Sequence, residues 1–135
     1  MNPIRILLIQ TEQVARERLA AWLRQEAYTI VQANNGAEGL ALFRQGSFDL
    51  VITDYQMPFL SGCELAVHIK GLDPMRPVLM MSGSWQRPSP ENPVDASLPL
   101  GCNPARLREV LAELLSSRAN APFGSERETA ELVEA

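Results

Sequence analysis

Four polar side chains stand where apolar runs stop: Gln10, Glu12, Asp54 and Ser82. A carboxylate such as Asp54 can attack an electrophile or ligate a hard cation. A hydroxyl such as Ser82 can donate to developing negative charge. The same groups also have plain structural uses, because Asp and Ser close turns by bonding nearby backbone. Several chemistries are excluded by spacing. An aspartate-based phosphatase pairs its nucleophile with a second acid two residues on, on its first strand, and Gln56 stands there instead. A nucleotide-binding loop wants glycines after the first strand, and Gln10-Thr11-Glu12-Gln13 has none. Cys63 and Cys102 belong to no CxxC pair, and His68 is the sole histidine, so no zinc site is expected. The cysteines read as reduced thiols and His68 as a helix surface residue. No enzyme is indicated.

The elements that must position these groups alternate regularly. Residues 4–9 are nearly all aliphatic, as suits a strand covered on both faces. Residues 12–26 carry Val14, Ala15, Leu19, Trp22 and Leu23 at helical spacing, with Thr11 placed to cap the helix start. Residues 28–31 form a second strand. Asn34-Asn35-Gly36 is a turn, and 37–45 a second helix with Leu40 and Phe43 inward. Residues 49–53 are a third buried strand. Ser61 and Glu64 make a capping box for a helix running to about Lys70. Residues 77–82 are a fourth strand and 96–98 a short fifth. Asn103-Pro104 starts a last helix, with Leu107, Val110, Leu111, Leu114 and Leu115 on one face.

This alternation predicts an α/β fold, a parallel sheet with helices on both faces. In such sheets, sites lie at the carboxyl ends of the strands. Residues 83–94 interrupt the pattern with Pro88, Pro90 and Pro93, so the helix between the fourth and fifth strands is expected to be reduced or missing. The chain has 135 residues, 46% of them hydrophobic, enough for one domain with a real core. A net charge of −4 gives no basic footprint for nucleic acid. No apolar run spans a membrane and no secretory leader is seen, so a cytoplasmic location is expected.

The string Asp49-Leu50-Val51-Ile52-Thr53-Asp54-Tyr55-Gln56-Met57-Pro58, followed by Gly62, resembles the response-regulator receiver family of two-component phosphorelays. The resemblance covers about residues 3–117, leaving 118–135 as a tail, mostly flexible or with a short terminal helix begun by a second capping-box pattern at 125–128. It implies a flavodoxin-like, doubly wound sheet of five parallel strands in the order 2-1-3-4-5. It also implies that Asp54 is the phosphoacceptor and Ser82 a contact to the phosphoryl group. Receivers carry two acids at the end of the first strand that help bind Mg²⁺; here Gln10 and Thr11 stand there. Glu12 and Asp54 are at most the metal ligands, and Mg²⁺, the one cofactor implied, should be held weakly. The lysine that ends the fifth strand falls on Leu100, its following proline on Gly101, and the aromatic switch position on Ser97.

These departures imply a receiver with a degraded Mg²⁺ and lysine site. The other reading is a pseudo-receiver, an interaction module that works without phosphate. Partners are a histidine kinase or phosphotransfer protein, or another signalling protein; no nucleic acid and no membrane are expected. The family's partner face is also used for dimers, so a homodimer is compatible with it.

Overall fold

The computed structural model describes residues 3–83 and 93–119. The order of elements is β1 (Arg5–Ile9), α1 (Gln13–Gln25), β2 (Thr29–Ala33), α2 (Gly36–Gln45), β3 (Leu50–Thr53), α3 (Gly62–Leu72), β4 (Val78–Ser82), β5 (Ala96–Pro99) and α4 (Pro104–Ala119). The five strands form one parallel sheet in the order β2-β1-β3-β4-β5, the order expected. The expected reduction of the helix between β4 and β5 and the tail beyond residue 119, with its capping-box pattern at 125–128, lie outside the described residues.

The aliphatic runs become the three inner strands because helices cover both faces. Leu50, Val51, Ile52 and Thr53 of β3 are all buried, as are Ile6 to Ile9 of β1. Alternate side chains then feed two cores. Ile6, Leu8, Leu50, Ile52, Leu79 and Met81 face α1 and α4. Leu7, Ile9, Val51 and Val78 face α2 and α3 with Leu65 and Ile69. At about 25 cal/mol per Å² of apolar surface, these two layers are the main force holding the sheet.

Local signals set the helix starts. Ser61 Oγ accepts from Glu64 N at 3.2 Å and Glu64 Oε1 accepts from Ser61 N at 3.0 Å, the capping box expected. Asn35 caps α2 by accepting from Glu38 N at 2.8 Å. For α1 the expectation is corrected. The cap is Glu12, not Thr11: Glu12 Oε1 accepts from Ala15 N at 2.8 Å. Val14, one of the apolar residues at helical spacing, is 56% exposed. The buried stripe of α1 is instead Arg16, Ala20 and Leu23, spaced four and three residues apart.

β5 is a four-residue edge strand that ends in proline. Pro99 pairs with Ser82 in register but has no N–H, and Leu100 N donates to the Ser82 carbonyl at 3.0 Å instead. Ala96, Leu98 and Leu100 share one side of this strand and pack on the α1–α4 core. Ser97 is exposed.

Candidate functional site

The carboxyl ends of β1, β3 and β4 converge on Asp54. The register puts Ile9 beside Thr53 and Thr53 beside Met80, so Gln10, Asp54 and Ser82 emerge at one end of the sheet. Asp54 is held by its backbone first: its N–H donates to the Ile9 carbonyl at 3.1 Å. The buried Thr53 hydroxyl donates to the Asp54 carbonyl at 3.0 Å. Gly62 N donates to the Tyr55 carbonyl at 2.8 Å, which closes the turn over the site. A Cβ on Gly62 would lie 2.1 Å from the Asp54 carbonyl oxygen, so this close approach needs glycine. In the same loop Phe59 takes φ 73° and is 87% exposed.

Three donors reach the half-buried carboxylate. Tyr55 N donates to Asp54 Oδ1 at 2.7 Å, and the Ser82 hydroxyl and the Gln10 side-chain amide also bond to it. Burial nevertheless dominates and pushes the Asp54 carboxyl above its usual value, and the three hydrogen bonds pull part of the way back. A carboxyl raised by folding makes its ionised form a cost to the folded state, so this contribution disfavours folding above the raised pKa. Asp54→Asn should therefore raise the thermal midpoint at neutral pH. The gain should shrink as the pH falls through the raised pKa and vanish below the ordinary value of 3.8. Thermal melts of both proteins across that range check this, and a gain that persists in acid would contradict it.

Gln10 was placed by sequence at an acid's position, and it is almost completely buried at 2% exposure. Its Oε1 accepts from Glu12 N at 3.2 Å while its amide turns to Asp54. Thr11 and Glu12 are exposed, and the Glu12 carboxylate is occupied at the start of α1. Leu100 lies on the α1–α4 side, where with Trp22, Met81, Cys102 and Leu107 it lines an open groove of about 440 Å³. Among the described residues, no group of three His, Cys, Asp or Glu side chains converges anywhere. Both thiols are free, and burial pushes each above its usual pKa. His68 is exposed on α3.

Sequence reading missed Arg16. It is 8% exposed, and its Nη1 donates to the Gln10 carbonyl at 2.9 Å and its Nε to Gln32 Oε1 at 3.1 Å. The available signal was position: Arg16 precedes Ala20 and Leu23 by four and seven residues, on the stripe that faces the sheet.

A five-stranded 2-1-3-4-5 sheet with an aspartate at the end of β3 defines a class, and the family comparison agrees. The response regulator receiver domain model matches residues 6–97, and the chain belongs to that family of two-component signalling domains. Among curated proteins, it is 35% identical over 95 residues to the uncharacterized transcriptional regulatory protein YcbL of Bacillus subtilis, covering 70% of this chain and 39% of that protein. Among solved structures, it is similar to the response regulator TrrA of Thermotoga maritima in complex with Mg²⁺–BeF, at 32% identity and TM-score 0.78. That likeness covers 82% of this chain and 98% of TrrA. A second structure holds TrrA in complex with the histidine kinase ThkA; there the identity is 33% and the TM-score 0.76, covering 83% and 98% of the two chains. The chain spans less than half the length of the curated relatives it matches. Among the described residues, no helix is long and apolar enough to cross a membrane.

Proposed function

We propose that this chain is a receiver, residues 3–117 followed by a tail, in which Asp54 occupies the phosphoacceptor position of a degraded Mg²⁺ and lysine site. The observation that carries this reading is the set of groups around Asp54. Tyr55 N–H, the Gln10 amide and the Ser82 hydroxyl all donate to it, and among the described residues no second carboxylate joins it. Mg²⁺ seeks oxygen ligands, usually one or two carboxylates beside the phosphate. Gln10 presents its amide hydrogens there, and Glu12 is engaged by Ala15, so the residues present fit this ion poorly. No lysine can replace the one missing at Leu100. Lys70 is the chain's single lysine, and it pairs with Asp95 at 2.7 Å, at the opposite end of the sheet.

The chemistry left to the chain's own residues is simple. An Asp54 oxygen attacks the phosphorus of a phosphohistidine on a histidine kinase or phosphotransfer protein. The P–N bond breaks, and the imidazole leaves and takes up a proton. Ser82 and Gln10 donate to the phosphoryl oxygens, each a neutral hydrogen bond worth about 0.5–1.5 kcal/mol. A cation would supply several kcal/mol. Transfer should therefore be slow and nearly indifferent to Mg²⁺. TrrA, seen with its kinase ThkA, supports a kinase partner.

The pseudo-receiver reading has its own support in Leu100, which packs into the α1–α4 core instead of reaching Asp54. Incubation with a small-molecule phosphodonor, followed by intact mass, separates the two. The expected result is a slow gain of one phosphoryl group, lost in Asp54→Asn and little changed by EDTA. No gain under any condition would favour the pseudo-receiver. Fast, stoichiometric, Mg²⁺-dependent gain would refute a degraded site.

A further inference from the structure

Among the described residues, three polar or charged side chains are buried, namely Gln10, Arg16 and Thr53. Thr53 holds the Asp54 carbonyl, and Gln10 bonds the carboxylate. Arg16 touches neither, and it is a puzzle on energetic grounds. A buried cation is costly unless it is paired. Yet Arg16 donates only to two neutral oxygens, the Gln10 carbonyl and Gln32 Oε1, and no carboxylate pairs with it among the described residues.

We propose that Arg16 is a positioning residue for Asp54 and that it acts through Gln10. β1 ends at Ile9, so the Gln10 carbonyl lies just past the ladder, and the guanidinium satisfies it with a charge-assisted bond at 2.9 Å. Gln10 N donates to the Ala33 carbonyl at 3.1 Å, which anchors the other side of the residue to β2. The side chain is fixed at its tip as well, because Glu12 N donates to Oε1 at 3.2 Å. With the oxygen held there, the amide hydrogens are left facing Asp54. Removing Arg16 frees the Gln10 peptide, and the amide loses its fixed aim. The bond from Nε to Gln32 extends the clamp to β2. A substitution at Gln32 should therefore act in the same direction but more weakly.

This inference rests on Asp54 as the site, but its test needs no phosphorylation. Amide hydrogen exchange by NMR on the full chain reads the Tyr55 N–H, which donates to Asp54 Oδ1. Both Arg16→Met and Gln10→Ala should speed Tyr55 exchange by about tenfold relative to the core amides of Leu8 and Val51, which report the stability of the sheet. The double variant should exchange no faster at Tyr55 than Gln10→Ala alone. A merely structural Arg16 predicts instead that Tyr55 moves only with Leu8 and Val51, or that the two effects add; either result overturns the proposal. If Arg16→Met does not fold, Arg16→Lys decides. It keeps a charged donor for the Gln10 carbonyl and should hold Tyr55 near its original rate. Tyr55 loosened equally by Arg16→Lys with and without Gln10 would also overturn it. Failure of the phosphodonor reaction would sink the acceptor reading and leave this one standing.

Discussion

Replacing Gln10 with Asp and Leu100 with Lys together should speed phosphoryl uptake on Asp54 by about a hundredfold or more in Mg²⁺, since a bound cation is worth several kcal/mol and each ~1.4 kcal/mol is tenfold. Geometry favours the first change. Gln10 already approaches Asp54, and Arg16 grips its backbone carbonyl, which the substitution keeps. A second carboxylate beside Asp54 creates like-charge repulsion in a half-buried site, so without metal the Gln10→Asp protein should be less stable than the parent. Mg²⁺ should then raise its melting temperature, because binding to the folded state alone stabilises it. Leu100→Lys takes an apolar side chain out of the α1–α4 core and costs part of that packing. Phosphorylation kinetics and melts with and without Mg²⁺ check the pair. A double variant that is as slow and as indifferent to Mg²⁺ as the parent would show that the two missing groups are not what limits this site.

Gly62→Ala should damage fold and site together. The new Cβ would meet the Asp54 carbonyl oxygen at 2.1 Å and Met80 Cε at 3.1 Å. The methionine tip can move, but the carbonyl is backbone and is also held by the Thr53 hydroxyl. Overpacking of this kind costs about 1–3 kcal/mol, and a backbone clash puts the effect at the upper end or beyond. The relief must come from the turn that carries Asp54. The expected result is a clear loss of denaturant midpoint and a change in the Tyr55 amide resonance. An alanine variant with parental stability would mean that the turn opens freely.

Much of the scaffold was legible because its signals are local. The runs at 4–9, 49–53 and 77–82 lack polar alternation, as strands covered on both faces must. The Ser61–Glu64 box and the Asn103–Pro104 pair mark helix starts with side-chain chemistry that needs no tertiary context. Legibility ended where one residue had two local uses. Thr11 and Glu12 can each cap a helix, and only the path out of β1 decides for Glu12. Val14 fits an apolar helical stripe, but the sheet meets the stripe of Arg16, Ala20 and Leu23 instead. Arg16 was invisible for a related reason. A charge is normally assigned to the solvent face, and its burial depends on Gln10 and Gln32, which come from two different strands. The candidate site residues came from the family resemblance of the string around Asp54. Gln10 stands where an acid was expected, and its side chain can serve Asp54 as a donor because folding buries it beside that carboxylate.

The central place of β1 also bears on how the protein is made. β1 is synthesised before β3, with which it pairs, and the bond from Arg5 N to Asp49 Oδ2 spans 44 residues of chain. No early segment can complete the first strand by itself. Closing so long a loop must precede the contacts that reward it, which slows folding of such sheets. Gln10 meets Asp54 only after that closure, and Ser82 must join from a later strand. On the ribosome, then, this site can be completed only after the fourth strand has emerged, although α1 and α2, which cover part of the first strand, are made before the third.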